Sequence, residues 1–341
     1  MNVDMNGIGR IASEVRKTTL LRFKKDVLDG LLAYPKQLPS KYFYDKKGSA
    51  LFREIMALPE YYLTDCELDI FRNRAGELSS FVMMDDTPFD LIELGAGDGL
   101  KSKYLLRELY RKSAKCIYMP IDISGSVLDV LGSSLQRELP ELEVQGFEGE
   151  YMEMLAEACS RSNRRKVVLF LGANIGNMEP HECRDFCCQL QNLLSPGDMV
   201  LIGFDLKKNP QQILRAYNDA SGVTSKFNLN LLERINRELF ANFVPEQFEH
   251  YPMYDPISGA CRSFLVSKRE QQVDIDGHTI RFGKGEVICT ELSQKCDTAE
   301  IRQLAAYSGF ETIGMLTDSE AWFVDAIWKI RPGEQFKVEA R

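Results

Sequence analysis

Residues 91–106, "LIELGAGDGLKSKYLL", pass from an apolar run into a glycine-rich loop and then into a helical pattern. The glycines are Gly95, Gly97 and Gly99, and Glu93 precedes them. Glycines let a loop approach a ligand closely because they lack a Cβ atom. A Walker phosphate loop ends in Gly-Lys-Ser/Thr, and a dinucleotide loop has the spacing G-x-G-x-x-G; neither pattern is present. The loop therefore predicts a nucleotide-like ligand of another kind.

Two further acidic positions follow the loop at the ends of predicted strands. Asp122 ends the run "YMPID", and a carboxylate at this place can accept hydrogen bonds from both hydroxyls of a ribose. Glu150 and Tyr151 follow the next run, in "GFEGEY", at the end of another predicted strand. The alternative for both acids is a solvated turn. With the loop, they indicate a nucleoside-containing cofactor.

Short β-rich runs alternate with helical stretches from residue 89 onward. The predicted strands are Phe89–Gly95, Lys115–Asp122, Glu143–Gly149, Lys166–Gly172 and Asp198–Asp205. The predicted helices between them are Lys101–Lys112, Ser126–Glu138 and Glu179–Leu194. Continuous apolar runs such as "VVLFLG" are typical of strands that are covered on both faces. Repeated strand–helix units of this length predict an α/β fold with a parallel, doubly wound sheet.

The alternation stops near residue 210. A long helical stretch, Gln211–Asn242, precedes three predicted strands, Ala260–Lys268, Gln272–Ile275 and His278–Arg281. A helix at Ala299–Ser308 and two strands within Glu311–Ile330 then complete the chain. This order predicts a core of residues 66–206 and 297–341, interrupted by an insertion. The helical, aromatic-rich N-terminus would pack on the insertion, so that residues 1–65 and 207–296 form a second domain.

Composition narrows the class of partner. The formal net charge of −8 disfavours nucleic acid, because phosphate binding requires a basic face. Nine cysteines without paired CxxC spacing, together with only three histidines, give little support for a metal site. The N-terminus lacks the apolar segment of a signal peptide, and no apolar run is long enough to span a bilayer. We expect a cytoplasmic enzyme with reduced thiols, a small-molecule substrate and no required protein partner.

The loop and the last two strands resemble those of class I S-adenosylmethionine-dependent methyltransferases. The pattern Glu93-x-Gly95-x-Gly97-x-Gly99 is similar to the first motif of that class, and its sheet closes with an antiparallel last strand. The resemblance implies a Rossmann-like core with S-adenosyl-L-methionine as cofactor and a second, substrate-binding domain. The implied cofactor residues are Glu93, Gly95, Gly97, Lys101, Asp122, Glu150 and Tyr151. Among these, Glu150 and Tyr151 stand where methyltransferases often bind the amine and the ring of the adenine.

Three longer stretches narrow the family. They are "KYFYDKKGSALFREIMALPEYYLTDCE", "LFLGANIGNMEP" and "GEVICTELSQKCD". They resemble the histidine-specific Nα-methyltransferases of ergothioneine biosynthesis, a family that includes enzymes acting on dimethylallyltryptophan. The resemblance extends from about residue 38 to residue 330. It implies methylation of the α-amino group of a free amino acid, with histidine, converted to its trimethylated betaine, as the first expectation.

The family also implies a role for each matching residue. Tyr44 is the expected catalytic hydroxyl beside the α-amine, and Asn177 with Tyr217 would hold the substrate carboxylate. Glu291 and Ser293 match the pair that binds the imidazole, and residues two apart in an extended segment do point to one face. The positions that match the rest of the pocket are Phe52, Tyr61, Gly172 and Thr224.

Simpler explanations exist for several of these residues. Tyr44, Tyr61 and Tyr217 could be packing residues, Asn177 could cap the following helix, and Glu291 could be a solvated strand acid. 

The chain also departs from the family pattern. Phe264 stands where a methionine that lines the ring pocket is expected. Glu150 and Tyr151 stand where the family has Asp and Phe. Phe264 leaves open a tryptophan, a tryptophan derivative or another aromatic amino acid as substrate. A catalytically inactive relative and a nicotinamide-dependent dehydrogenase are the alternatives from other classes.

Overall fold

The computed structural model describes residues 5–84 and 87–331. In chain order the helices and strands are α1 (Met5–Leu32), β1 (Lys36–Gln37), α2 (Lys46–Met56), α3 (Tyr62–Asn73), α4 (Ala75–Val82), β2 (Phe89–Leu94), α5 (Ser102–Arg111), β3 (Cys116–Asp122), α6 (Gly125–Glu138), β4 (Glu143–Val144), β5 (Phe147–Glu148), α7 (Tyr151–Ser160), β6 (Arg165–Phe170), α8 (Pro180–Leu193), β7 (Met199–Asp205), α9 (Pro210–Ala216), α10 (Val223–Leu239), β8 (Phe248–Tyr254), β9 (Ala260–Ser267), β10 (Gln271–Ile275), β11 (His278–Phe282), β12 (Val287–Gln294), α11 (Thr298–Tyr307), β13 (Phe310–Thr317) and β14 (Phe323–Ile330). Short 3₁₀ turns lie at Ser40–Phe43, Asn174–Asn177 and Pro245–Gln247.

The chain forms two compact units. The first contains Met1–Tyr61 and Asn209–Ser293, and the second contains Tyr62–Lys208 and Gln294–Arg341. The function of the first unit as a substrate-binding domain stays a prediction.

The second unit is built on one mixed sheet with the strand order β13-β14-β7-β6-β2-β3-β4, and β5 also pairs with β3. The pairs β2–β3, β2–β6 and β6–β7 are parallel, whereas β14 is antiparallel to both β7 and β13. Every residue of β2 and β7 is buried, as expected for strands that are covered on both faces. The structure thus confirms the predicted class I methyltransferase fold with its antiparallel last strand.

Parallel pairing also determines where the cofactor residues lie. The strands β2, β3 and β6 run in the same direction, so their carboxyl ends meet at one edge of the sheet. Ligands of open α/β sheets bind beyond this edge. The glycine loop follows β2, Asp122 ends β3, and Gly172 comes shortly after β6.

The first unit combines helices from the N-terminus with the segment 209–293. Its four-stranded sheet has the order β1-β12-β9-β8, and β10 pairs with β11 in a hairpin. A buried apolar cluster joins α1, α2 and α10 to this sheet, through residues such as Phe23, Leu51, Leu231 and Ile288. The N-terminal helices therefore pack against the insertion, because neither could bury its apolar face alone.

Three details of the sequence prediction were wrong. The stretch Gln211–Asn242 is two helices, α9 and α10, because a turn ending at Gly222, with φ +72°, separates them. The single strand Glu143–Gly149 is the two short strands β4 and β5. Strand β8 was not predicted; it contains Pro252 and lies at a sheet edge, the place where proline is tolerated.

All nine cysteines are free. Among the residues that the structure describes, none of the helices has the length and apolar character to cross a membrane, and His, Cys, Asp and Glu form no group of three or more suited to a metal ion.

Asp219 at the start of α10 gives a pH-dependent prediction of stability. Its carboxylate accepts hydrogen bonds from the backbone N–H groups of Val223 (2.9 Å) and Thr224 (2.8 Å) and from the Ser221 hydroxyl (2.6 Å). Burial opposes ionisation, but these hydrogen bonds prevail and lower the pKa of Asp219 to about 2. A depressed pKa stabilises the fold above the unfolded-state value, about 3.9, and this stabilisation is lost as the pH falls towards 2.

We therefore expect Asp219→Asn to lower the unfolding free energy by roughly 1 kcal/mol at pH 7, and the difference from wild type to shrink between about pH 4 and pH 2. Urea unfolding at several pH values measures this. Glu249→Gln, at an exposed position of the same unit, is the control and should match wild type throughout. A difference that stays constant down to pH 2 would contradict the assigned role of Asp219.

Candidate active site

The glycine loop and Asp122 form one hydrogen-bonded structure. Gly95, Gly97 and Gly99 all have positive φ, between 55° and 70°, a conformation that glycine adopts without strain. The Gly97 N–H donates to Asp122 Oδ2 (3.1 Å), and the Ser124 N–H donates to Asp122 Oδ1 (3.0 Å). A Cβ atom on Gly97 would have no atom within 4 Å, so open space lies over the loop at this point. The predicted ribose-binding carboxylate therefore lies directly beside the predicted cofactor loop.

Tyr151 approaches the glycine loop at Gly95. A Cβ atom on Gly95 would be only 2.7 Å from the Tyr151 hydroxyl oxygen, so a larger residue at this position would displace the tyrosine. Burial, with the charges of Asp122 and Glu150, raises the pKa of Tyr151 to about 12, which keeps its hydroxyl protonated at neutral pH. Glu150 is exposed and is the N-cap residue of α7.

Glu93 points into the core of the second unit. It is 4% exposed, and its carboxylate accepts a hydrogen bond from the Tyr118 hydroxyl. Burial raises the pKa of Glu93 to about 7, while hydrogen bonds from Tyr118 and Ser102 oppose this shift. This geometry favours a supporting function beneath the loop; direct contact of Glu93 with the cofactor stays a prediction.

Glu67 links two of the predicted site residues, although sequence reasoning did not select it. Its carboxylate forms an ion pair with Lys101, and both of its oxygens lie 2.9 Å from the Gly172 nitrogen, whose N–H donates to them. The signal in the sequence was an acid within the apolar stripe of α3, between Leu63 and Ile70. A charged side chain on such a face needs partners, and here the partners are site residues.

This donor set fits S-adenosylmethionine. Glycines leave space over the loop, a carboxylate and a protonated phenol flank it, and an ammonium group lies at its end. The carboxylate suits ribose hydroxyls, the phenol suits an adenine ring, and the ammonium group suits an amino-acid carboxylate. Asp122, Tyr151 and Lys101 are therefore the residues of this chain that would hold such a cofactor.

An aromatic cluster surrounds Tyr44 in the first unit. Its ring centroid lies 5.3 Å from that of Phe52 and 5.8 Å from that of Phe227, and the Phe52 and Tyr61 centroids are 6.1 Å apart. Tyr44 nevertheless stays 45% exposed, so its ring is held while part of the side chain is accessible. The structure brings together the predicted Tyr44, Phe52 and Tyr61 and adds Phe227, one turn after Thr224 on α10, which was not predicted.

A second group in this unit joins the predicted ring-binding pair to other polar residues. The Tyr217 hydroxyl donates to Ser293 Oγ (2.7 Å), and the Ser263 hydroxyl donates to Glu291 Oε2 (2.9 Å). Tyr217, Ser263 and Ser293 are each less than 5% exposed. The predicted carboxylate ligand Tyr217 is thus in direct contact with the predicted ring ligand Ser293.

Ser263 was not predicted, whereas its neighbour Phe264 was. Successive side chains of a strand point to opposite faces, so Phe264 lies on the other face of β9, where Tyr251 is its cross-strand partner. The hydroxyl that reaches the Glu291 carboxylate therefore comes from Ser263, and a ring-lining position for Phe264 stays a prediction. Thr224, also predicted, is buried at the start of α10.

Asn177 and Gly172, the two remaining substrate-site predictions, belong to the second unit. Asn177 is exposed at the end of the 3₁₀ turn that follows β6. Its alternative function as a helix cap is not supported, because Glu179 is the N-cap residue of α8 and its N–H donates to the Glu182 carboxylate (2.8 Å). Binding of the substrate carboxylate by Asn177 stays a prediction.

A family model and several known proteins that are similar to this chain indicate the same family. The family described as "Histidine-specific methyltransferase, SAM-dependent" matches residues 23–330. Histidine N-alpha-methyltransferase of Mycobacterium tuberculosis is 36% identical over 305 residues, which are 89% of this chain and 93% of that protein. The enzyme of the same name from Mycolicibacterium smegmatis is 35% identical, with 86% and 91% covered. Ergothioneine biosynthesis protein 1 of Schizosaccharomyces pombe is 31% identical over 81% of this chain, which spans 37% of that longer protein.

Asp122 gives the test of the cofactor site. We expect Asp122→Asn to weaken binding of S-adenosylhomocysteine, the demethylated cofactor, by about 10- to 100-fold, because charged hydrogen bonds are worth about 1.5–3 kcal/mol. Isothermal titration calorimetry measures the dissociation constant. Asp129→Asn, at an exposed position of α6, is the matched control and should bind as wild type does. Equal affinity in wild type and Asp122→Asn would refute the assignment.

Proposed function

Because the chain belongs to the family of histidine-specific, S-adenosylmethionine-dependent methyltransferases, we propose that it methylates the α-amino group of free histidine to give the trimethylated betaine. The observation that carries this substrate is the polar group of Tyr217, Ser293, Ser263 and Glu291. Its chemistry matches that of a neutral imidazole, which has one N–H donor and one nitrogen acceptor.

Glu291 and Ser293 would supply the two complementary partners. A carboxylate accepts up to about four hydrogen bonds, so Glu291 can hold Ser263 and an imidazole N–H together. The Ser293 oxygen accepts a hydrogen bond from Tyr217, and a hydroxyl that accepts one bond can still donate its own proton to the second ring nitrogen. A ring without this donor and acceptor, such as phenyl, would cover both polar groups without forming either hydrogen bond, at a cost of about 1–3 kcal/mol.

Tyr44 is the proposed catalytic residue. Bound S-adenosylmethionine supplies a methyl group on an activated sulfonium. The protein must then orient a neutral amine, since an ammonium has no lone pair, and transfer from water to a pocket lowers the pKa of an ammonium. Packing against Phe52 and Phe227 fixes the Tyr44 ring, so that its hydroxyl can accept a hydrogen bond from the amine N–H. Positioning of this kind accounts for several kcal/mol of a reaction barrier.

The proposal extends to the surroundings of the enzyme. Nine free cysteines fit the cytoplasm, where thiols stay reduced. A net charge of −8 fits a small amino acid as partner better than it fits nucleic acid.

Glu291 gives the direct test of substrate recognition. We expect Glu291→Ala to raise the dissociation constant for histidine by about 10- to 100-fold, because a charged hydrogen bond to the ring is lost. Binding of S-adenosylhomocysteine should not change. Calorimetry with both ligands measures this, and Glu249→Ala, an exposed glutamate on β8, is the control. Unchanged histidine affinity in Glu291→Ala would argue against histidine as the ring that is recognised.

Tyr44 gives a separate test of the chemical step. We expect Tyr44→Phe to slow the second methylation by about 10- to 100-fold, so that the monomethylated product accumulates. The monomethylated amine has one N–H left to donate to Tyr44, and a hydrogen bond to the ammonium that forms as the methyl group is transferred is worth about 1.5–3 kcal/mol. Time-resolved mass spectrometry measures the distribution. Tyr251→Phe, which removes a hydroxyl from an exposed tyrosine of the same unit, should leave the distribution as in wild type. An unaltered distribution in Tyr44→Phe would mean that Tyr44 only packs.

A further inference from the structure

A cluster of buried acids lies behind the cofactor residues of the second unit. Glu67 on α3 and Asp325 on β14 are both fully buried, and the side chain of Lys101 is only 20% exposed. Asp325 pairs in register with Gly203 of β7, and a Cβ atom on Gly203 would overlap Glu67 Oε1. The absence of a side chain at Gly203 therefore lets Glu67 reach the sheet beside Asp325.

The two carboxyl groups have different partners. Glu67 forms the ion pair with Lys101 and accepts the Gly172 N–H at both oxygens. Neither oxygen of Asp325 has a hydrogen-bond partner in the described part of the chain, apart from the contact that a proton on Asp325 would make with Glu67. A buried carboxylate without donors is very costly, whereas a buried carboxylic acid can donate a hydrogen bond.

The charges around Lys101 lead to the same assignment. Glu67 and Asp325 both act on this one ammonium group, and Glu93 is a third acid near it. Two neighbouring carboxylates cannot both ionise easily in a low-dielectric site, and one of them keeps its proton. Burial, followed by the nearby Glu67 charge, raises the pKa of Asp325 well above its ordinary value. Asp325 is thus the neutral member and Glu67 the charged one.

We propose that Glu67 is a positioning residue for cofactor binding: as the ionised member of a Glu67–Asp325 pair that shares one proton, it fixes the Lys101 ammonium and the Gly172 amide. A Cβ atom on Gly172 would lie 3.6 Å from Lys101 Nζ, so one carboxylate holds two adjacent parts of the site.

The shared proton matters for the charge of the site. With Asp325 protonated, Lys101 and Glu67 form a neutral pair; with both acids ionised, the three groups would carry a net negative charge. A negative cluster would repel the carboxylate at the amino-acid end of the cofactor. This inference rests on the cofactor and not on which amino acid is methylated.

Calorimetric titration with S-adenosylhomocysteine, in the absence of any amino acid, tests the pair through two conservative variants. Glu67→Gln places an uncharged amide, itself a donor, against Lys101 and the Gly172 N–H. We expect its dissociation constant to rise about 10- to 100-fold. Asp325→Asn replaces one neutral donor with another, and we expect its dissociation constant to stay within about threefold of wild type. Glu138→Gln, at the exposed ion pair with Arg107, is the control.

A double-mutant cycle separates positioning from a general loss of structure. If Glu67 acts through Lys101, the effects of Glu67→Gln and Lys101→Met on the dissociation constant will be clearly less than additive. Additive effects would indicate a merely structural function and overturn the proposal. So would wild-type affinity in Glu67→Gln, or an affinity loss greater than about tenfold in folded Asp325→Asn, because an ionised Asp325 would then be required. If circular dichroism shows that Glu67→Gln does not fold, the affinity of Asp325→Asn for S-adenosylhomocysteine still tests the proposal. Because no amino acid is present, failure of the histidine assignment would not alter these results.

Discussion

Parallel pairing of β2 with both β3 and β6 places the ends of three strands at one edge of the sheet, and the active site of the second unit depends on this arrangement. The loop after β2 can turn over the sheet because its three glycines adopt positive φ. Asp122 at the end of β3 then fixes the loop by accepting the Gly97 N–H. Catalytic geometry in this protein therefore starts from backbone hydrogen bonding, and side chains refine it.

Buried charge is the second organising feature. Glu67 and Glu93 lie inside the second unit, where a buried carboxyl group is costly unless hydrogen-bond donors surround it. Their donors, Lys101 with Gly172 and Tyr118 with Ser102, come from the loop, the adjoining helix and neighbouring strands. In the first unit, uncharged hydroxyls have the corresponding function, because Ser263 and Tyr217 orient the two residues proposed to grip the substrate ring. The cofactor site and the proposed substrate site therefore both depend on polar groups that are hydrogen-bonded within apolar surroundings.

The sequence predicted what local patterns encode. Apolar runs and glycine spacing indicated the parallel sheet and the loop, the resemblance to class I methyltransferases implied the antiparallel last strand, and the structure has all three. The family resemblance supplied residues such as Tyr44 and Glu291, which no pattern would have selected alone. Ser263 and Glu67 were missed because their partners lie 28 residues away for Ser263, and 34 and 105 residues away for Glu67. Such contacts depend on the folded chain, and single-residue properties do not reveal them.

Mass spectrometry of a methylation reaction tests the central claim most directly. The protein would be incubated with S-adenosylmethionine and a panel of free amino acids that includes histidine, tryptophan, phenylalanine and tyrosine. We predict that histidine gains one, two and finally three methyl groups on its α-amine, while the other amino acids stay unmodified. Methylation of tryptophan or another aromatic amino acid with histidine left unmodified would contradict the proposed substrate. An unreactive panel, in the presence of normal cofactor binding, would contradict free-histidine methylation itself.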